Sequence, residues 1–201
     1  MRRIGRRAVV TAVATSVVLL GGATAAQAQT LTLHDSRHDV WSGSASDRLA
    51  DYQPAPHQQA GDVVMARVRY GPHNVVLTER FVRLGRNGDG DIYGFRLRTQ
   101  ARLHRTIQVQ AFRGSWAGTV SMRRPNGQLV SCDGLHEHVD YARDLVQVRV
   151  PATCLHDPRW VQFSAVSAHI TREDRWLVDN PHNDRASHRG WSARVRRTAP
   201  H

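Results

Sequence analysis

From Asp62 to Ala168 the chain alternates apolar and polar residues with a period of two, in short runs broken by turn signals. Side chains of an extended strand point alternately to opposite faces, so this pattern belongs to strands with one buried and one solvated face. In the first run, Val64, Ala66, Val68 and Tyr70 interleave with Met65, Arg67 and Arg69. Similar runs cover 74–84, 92–99, 106–112, 119–123, 128–132, 144–150 and 159–168, rich in Val, Ile, Thr and aromatics. Gly71-Pro72, Asn87-Gly88-Asp89-Gly90, Arg113-Gly114-Ser115, Pro125-Asn126-Gly127, Asp133-Gly134 and His156-Asp157-Pro158 separate them. The helical candidate is a short piece, 151–155, opened by Pro151. About eight closely spaced strands without an amphipathic helix predict an all-β fold: a single antiparallel β-sandwich built from 62–170.

Both flanks lose the alternation. Residues 29–61 are polar and punctuated by Ser42-Gly43-Ser44 and Pro54-Ala55-Pro56, which predicts an irregular N-terminal arm with Trp41 as its anchor. Residues 171–201 turn polar again around Trp176 and Trp191 and read as a C-terminal tail.

Residues 1–28 read as a signal peptide. Arg2, Arg3, Arg6 and Arg7 form a basic start, 8–20 is apolar, and Ala26-Gln27-Ala28 fits a cleavage site before Gln29. The apolar run is shorter than the ~20 residues a membrane-spanning helix needs. Arg6-Arg7 also permits the twin-arginine route beside the general secretory one. In an exported chain the two cysteines, Cys132 and Cys154, read as a disulfide, worth roughly 3 kcal/mol by chain entropy. All 28 Lys+Arg residues are Arg, against 17 Asp+Glu, for a formal charge of +11. A GC-rich genome explains the missing Lys, as would selection for bidentate Arg contacts, and with the leader the absence of Lys points to a secreted actinobacterial protein.

Certain stretches carry a resemblance. They are Asp62-Val63-Val64, Tyr70-Gly71-Pro72-His73, Val75-Val76-Leu77, Phe81-Val82-Arg83-Leu84 and Phe95-Arg96-Leu97-Arg98-Thr99. Later come Val139-Asp140-Tyr141, 144–148, 151–155 and Arg159-Trp160-Val161. The pattern resembles a group of secreted actinobacterial proteins whose sandwich is similar to the DOMON and family-9 carbohydrate-binding modules. It covers about half the chain and lies in strand pattern. It implies a jelly-roll-like sandwich with a sugar or haem ligand. No haem-ligating Met/His pair or aromatic platform matches residue by residue, so it implies no site residue.

Several groups could carry chemistry. Asn87, Asp89 and Asp91 alternate in a Gly-rich loop and offer oxygens suited to Ca²⁺, although Ile92 and Arg98 stand where an EF-hand loop needs Gly and Glu. A plain Gly/Asp turn uses the same residues. His136, His138 and Asp140 share one strand side, as a transition-metal patch would or as a solvated loop would. Asp179, His182, Asp184 and His188 form a similar group in the tail. Arg67, Arg69, Arg96, Arg98 and Arg149, with Arg80, take the non-core phase of their strands and would form an anion-binding face if those strands were neighbours. No nucleophile elbow, zinc-protease, phosphate-loop or dinucleotide pattern occurs. An aromatic content of 6% argues against a stacking groove for nucleic acid.

The expected function is therefore non-catalytic binding at the cell envelope or outside it, carbohydrate-binding-like, with cell-wall polysaccharide as partner. Trp41, Trp116 or Trp160 on one concave face would distinguish this reading. The alternatives are an electrostatic binder of anionic wall polymer and a hydrolase with converging carboxylates or a Ser-His pair.

Overall fold

The structure, a computed structural model, describes residues 29–183, 186 and 190–198. The expected signal peptide, 1–28, lies outside the described residues, as do Asp184 and His188 of the tail cluster. The described residues form thirteen strands: β1 (Gln29–His34), β2 (Trp41–Ser44), β3 (Gln53–Pro54), β4 (Val63–Tyr70), β5 (Asn74–Phe81), β6 (Gly90–Thr99), β7 (His104–Phe112), β8 (Ser115–Arg123), β9 (His136–Asp140), β10 (Leu145–Pro151), β11 (Trp160–Ile170), β12 (Arg175–Asp179) and β13 (Val195–Arg196). The candidate helix at 151–155 is one 3₁₀ turn, Ala152–Leu155. Among the described residues, no helix is long and apolar enough to cross a membrane.

Two antiparallel sheets pack face to face. The first runs β1-β4-β5-β10-β9 and the second β3-β2-β12-β11-β6-β7-β8, with β13 paired to β11. The apolar phase of the strands meets between them. Val68, Tyr70, Leu77, Val146 and Val148 face Phe95, Leu97, Ile107, Val109 and Phe163, all fully buried. Burying each larger side chain stabilises the fold by about 1.5–3 kcal/mol. The Tyr70 hydroxyl satisfies itself by donating to the Pro158 carbonyl at 2.6 Å. Gly71, Gly114 and the Pro125-Asn126-Gly127 turn close hairpins where turns were expected; Gly114 and Gly127 have φ of 90° and 82°. Cys132 and Cys154 are joined, 22 residues apart.

The sandwich reaches beyond 62–170. β1 comes from the arm and lines β4 in register from Gln29↔Tyr70 to His34↔Met65. Its Leu31 and Leu33 pack on the core. β2 and β3, also from the arm, and β12, from the tail, extend the second sheet. An uncovered strand edge attracts pairing, and these flanking segments supply it. The arm is irregular only between these strands, at 35–40, at 45–52 apart from the 3₁₀ turn Leu49–Asp51, and at 55–61 apart from the bridge at Ala60. Three local differences also appear. The run 128–132 makes only an isolated bridge, Arg123↔Leu129, because the chain leaves β8 for the disulfide. β9 forms at 136–140, in a stretch that also reads as loop. A register shift between Val63 and Met65 turns Val63, rather than Val64, into the core.

Candidate functional site

The outer face of the second sheet holds a groove of about 490 Å³. Its floor is Ile92 and Gly94 from β6 with Val166 and Ala168 from β11, and Thr106 and Gln108 from β7 lie alongside. These residues converge because paired strands put opposite residues on one face: Gly94 lies between Val166 and Gln108, and Arg96 between Ser164 and Thr106. Gly94 keeps the floor low, since a Cβ there would come 3.0 Å from Val166 Cγ1.

The wall is Leu49 and Tyr52, from the segment joining β2 to β3, with Trp176 and Val178 from β12. Tyr52 is seated by Gly43, where a Cβ would fall 2.2 Å from its ring, and its hydroxyl donates to the Ser44 carbonyl at 3.0 Å. Burial raises the Tyr52 pKa above the ordinary phenol value. Arg96 closes one end. Its Nη2 donates to Ser164 Oγ at 3.4 Å, and its guanidinium lies 5.1 Å from the Trp191 ring centroid. Arg98 stacks on the same ring at 4.7 Å. Desolvation lowers the Arg96 pKa. The slot is thus apolar on its floor and wall and hydrogen-bonding along one side. A pyranose ring has the same two characters, an apolar C–H face and a polar edge.

None of the tryptophans named from the sequence lines the groove, although Trp41 stands on the same face, opposite Val178. Trp41 packs into a satellite cluster with Tyr52, Ala168 and Val178. Trp116 meets Tyr141 edge-on at 6.2 Å, and Trp160 lies under the Arg194 guanidinium at 4.5 Å. Trp176 lines the groove instead, and Trp191 carries the Arg96 guanidinium at its end, both from the segment read as a tail. The alternation of Trp176-Leu177-Val178 was the signal that could have found the first.

The Arg face divides. Arg67, Arg69 and Arg149 are exposed on the outer side of the first sheet, together with Arg80. Arg69 and Arg149 flank Val76 in one row, and Arg67 donates to Thr32 Oγ1 at 3.2 Å. Arg96 and Arg98 lie on β6, on the opposite outer face of the sandwich. They share a side of their strand with the others but not a sheet.

Asn87, Asp89 and Asp91 do not converge. Asp89 pairs with Arg113 at 2.8 Å, and Asp91 turns inward to His169 Nδ1 at 2.8 Å. Each carboxylate has its own basic partner, so the loop behaves as a turn. His136 and His138 are exposed on β9, and His138 lies 3.8 Å from Asp140. The buried Asp91–His169 pair has the separation of a base and its orienter. The other edge of the imidazole meets Gly88, where a Cβ would fall 2.8 Å from Nε2. The pair braces β6 against β11.

No protein-family model matches the chain, and no curated protein matches it.

Proposed function

We propose that this protein is a secreted, non-catalytic binder of the cell envelope or exterior that seats a polysaccharide segment in the groove of the second sheet. The observation that carries the reading is the groove itself: an apolar floor beside Trp176 with Thr106, Gln108, Ser164 and Arg96 along its side. Pockets for small ligands are of this size and character, mostly apolar with a few placed polar groups. The leader-like residues 1–28 and the Cys132–Cys154 bridge support an exterior setting, where disulfides persist.

The test is sedimentation of the purified protein with insoluble cell-wall glycan at low and high salt. Binding that survives high salt and weakens at least tenfold in Trp176→Ala and Gln108→Ala supports the groove. Wild-type binding by both variants, with their fold intact by circular dichroism, rejects it.

A second reading has its own observation. Arg69 and Arg149 flank a hollow of about 370 Å³ that also contains His73, Asn74 and Gln147. They stand on β4 and β10 with one strand between them, roughly 10 Å apart at strand spacing. Such a pair suits successive charges of an anionic wall polymer. Exposed charge contacts are screened by salt. Binding lost at high salt and in Arg69→Ala with Arg149→Ala would favour this face over the groove.

A further inference from the structure

Loop 35–40 carries the chain from β1 in the first sheet to β2 in the second, and it crosses at the start of β4 and the end of β12. Asp35 and Asp39 lie on this loop, and Asp179 ends β12. One carboxylate oxygen from each falls within 4.8 Å of the other two. Oxygens sharing one calcium ion at 2.3–2.6 Å can be no more than about 5 Å apart, so this spacing fits a common ion.

The carboxylates are held in place by backbone. Asp179 Oδ2 accepts from Val63 N at 2.6 Å, and its Oδ1 accepts from Asn180 N at 2.6 Å. Asp35 N donates to the Val64 carbonyl at 3.2 Å, and His38 N donates to Asp62 Oδ2 at 2.9 Å, which fixes the loop on β4. His38 takes a φ of 71°, the reversal that lets Asp35 and Asp39 approach the same point.

An independent observation points the same way. Glu79, fully buried, sits on the inward side of β5 opposite Ala66 and Val146, and neither of its carboxylate oxygens has a hydrogen-bond partner. It faces the second sheet, where Asp179 also turns inward beside Ser167, and the two carboxyls act on each other electrostatically. Asp62, likewise fully buried, has an unpartnered Oδ1 at the same junction. Buried carboxylates are ordinarily paired with cations or bound to metal.

We propose that Asp35, Asp39 and Asp179 bind a calcium ion that clamps the 35–40 crossover to β4 and β12. The donors are all carboxylate oxygens, which favours a hard cation over the transition metals that imidazole and thiolate select. The clamp lies just before β2 and the segment that carries Leu49 and Tyr52, so it also steadies the groove wall.

The test uses the purified full chain, stripped with a chelator and titrated with CaCl₂ while thermal unfolding is followed. Calcium should raise Tm saturably, by roughly 5–10 °C at a hundredfold excess over Kd. Asp35→Asn with Asp39→Asn should remove the rise, while Arg149→Ala should keep it. Identical melting with chelator and with about 10 mM calcium, beyond the weak end of extracellular sites, overturns the proposal. So does an undiminished rise in the double variant, and an equal response to magnesium overturns the assignment to calcium. If the double variant does not fold, calorimetric titration of the stripped wild type decides: a one-site isotherm supports the site, and absence of heat and of any melting shift overturns it.

Discussion

Arg96 and Trp191 lie in cation–π contact, 5.1 Å from guanidinium carbon to ring centroid, although one belongs to a central strand and the other to the last described segment. Arg98 shares the ring at 4.7 Å, and His104 meets it edge-on at 5.8 Å. The same segment is tied to β11 by Ser192, whose Oγ accepts from Phe163 N at 3.0 Å. The C-terminal segment is therefore part of the sandwich, and its aromatic ring holds the arginine that closes the groove.

Replacing Trp191 should accordingly affect both stability and binding. A partly desolvated cation–π contact contributes about 1 kcal/mol. Trp191→Ala should lower Tm by roughly 2–4 °C in differential scanning calorimetry. It should also weaken groove binding, because Arg96 loses the surface that orients it.

The Asp91–His169 pair, 2.8 Å apart and almost fully buried, should be sensitive to loss of either member. Asp91→Ala strands the His169 Nδ1, and His169→Ala strands the carboxylate. Each should cost about 1–3 kcal/mol in urea unfolding, the penalty for a buried polar group without its partner. The double variant should cost less than the sum of the singles, since the two share one interaction.

His182 predicts a pH dependence. Its imidazole packs on Phe163 at a centroid distance of 5.5 Å, and burial, aided by Arg96, lowers its pKa from 6.5 to about 4. The folded protein thus keeps His182 neutral where the unfolded chain protonates it. The stability this group contributes is present above pH 6.5 and is lost as pH falls from there to about 4. Denaturant titrations across that window should show His182→Asn losing less stability than the wild type, and parallel curves would reject the assignment.

Reduction of Cys132–Cys154 should destabilise the fold without abolishing its strands. The bridge spans 22 residues, which corresponds to roughly 3 kcal/mol of chain entropy. Cys132→Ala with Cys154→Ala should lower Tm by about 6–12 °C while the far-ultraviolet circular dichroism keeps its β signature.

Much of the sandwich was legible because period two is a local property. Val68 and Tyr70, Phe95 and Leu97, and Val146 and Val148 announce their inward side from sequence alone, and all six are fully buried. The turns at Gly114 and Gly127 were legible for an equally local reason, a backbone that favours glycine at positive φ. β1 was missed although Leu31 and Leu33 alternate, because a short polar-flanked run carries too little signal without the β4 edge it pairs with. β12 was missed likewise: it folds straight back on β11, but its five residues carry too short an alternation, and its other partner, β2, lies near the opposite end of the chain.

The sequence by itself determined the class of fold, the phase of the central strands, the disulfide pair and the turns, each set by residues a few positions apart or by the chemistry of two cysteines. Only the tertiary structure decided which strands became neighbours. Alternation states which side of a strand faces the core, yet both sheets have an outer side, so it could not tell that Arg69 and Arg149 share one face and Arg96 and Arg98 the other. For the same reason the groove and the carboxylate cluster were invisible. Gly94, Gln108, Val166 and Trp176 meet through strand pairing, and Asp35, Asp39 and Asp179 meet at a crossover between sheets. Long-range pairing is a property of the whole chain, selected by the burial of every strand at once rather than by any local run of residues.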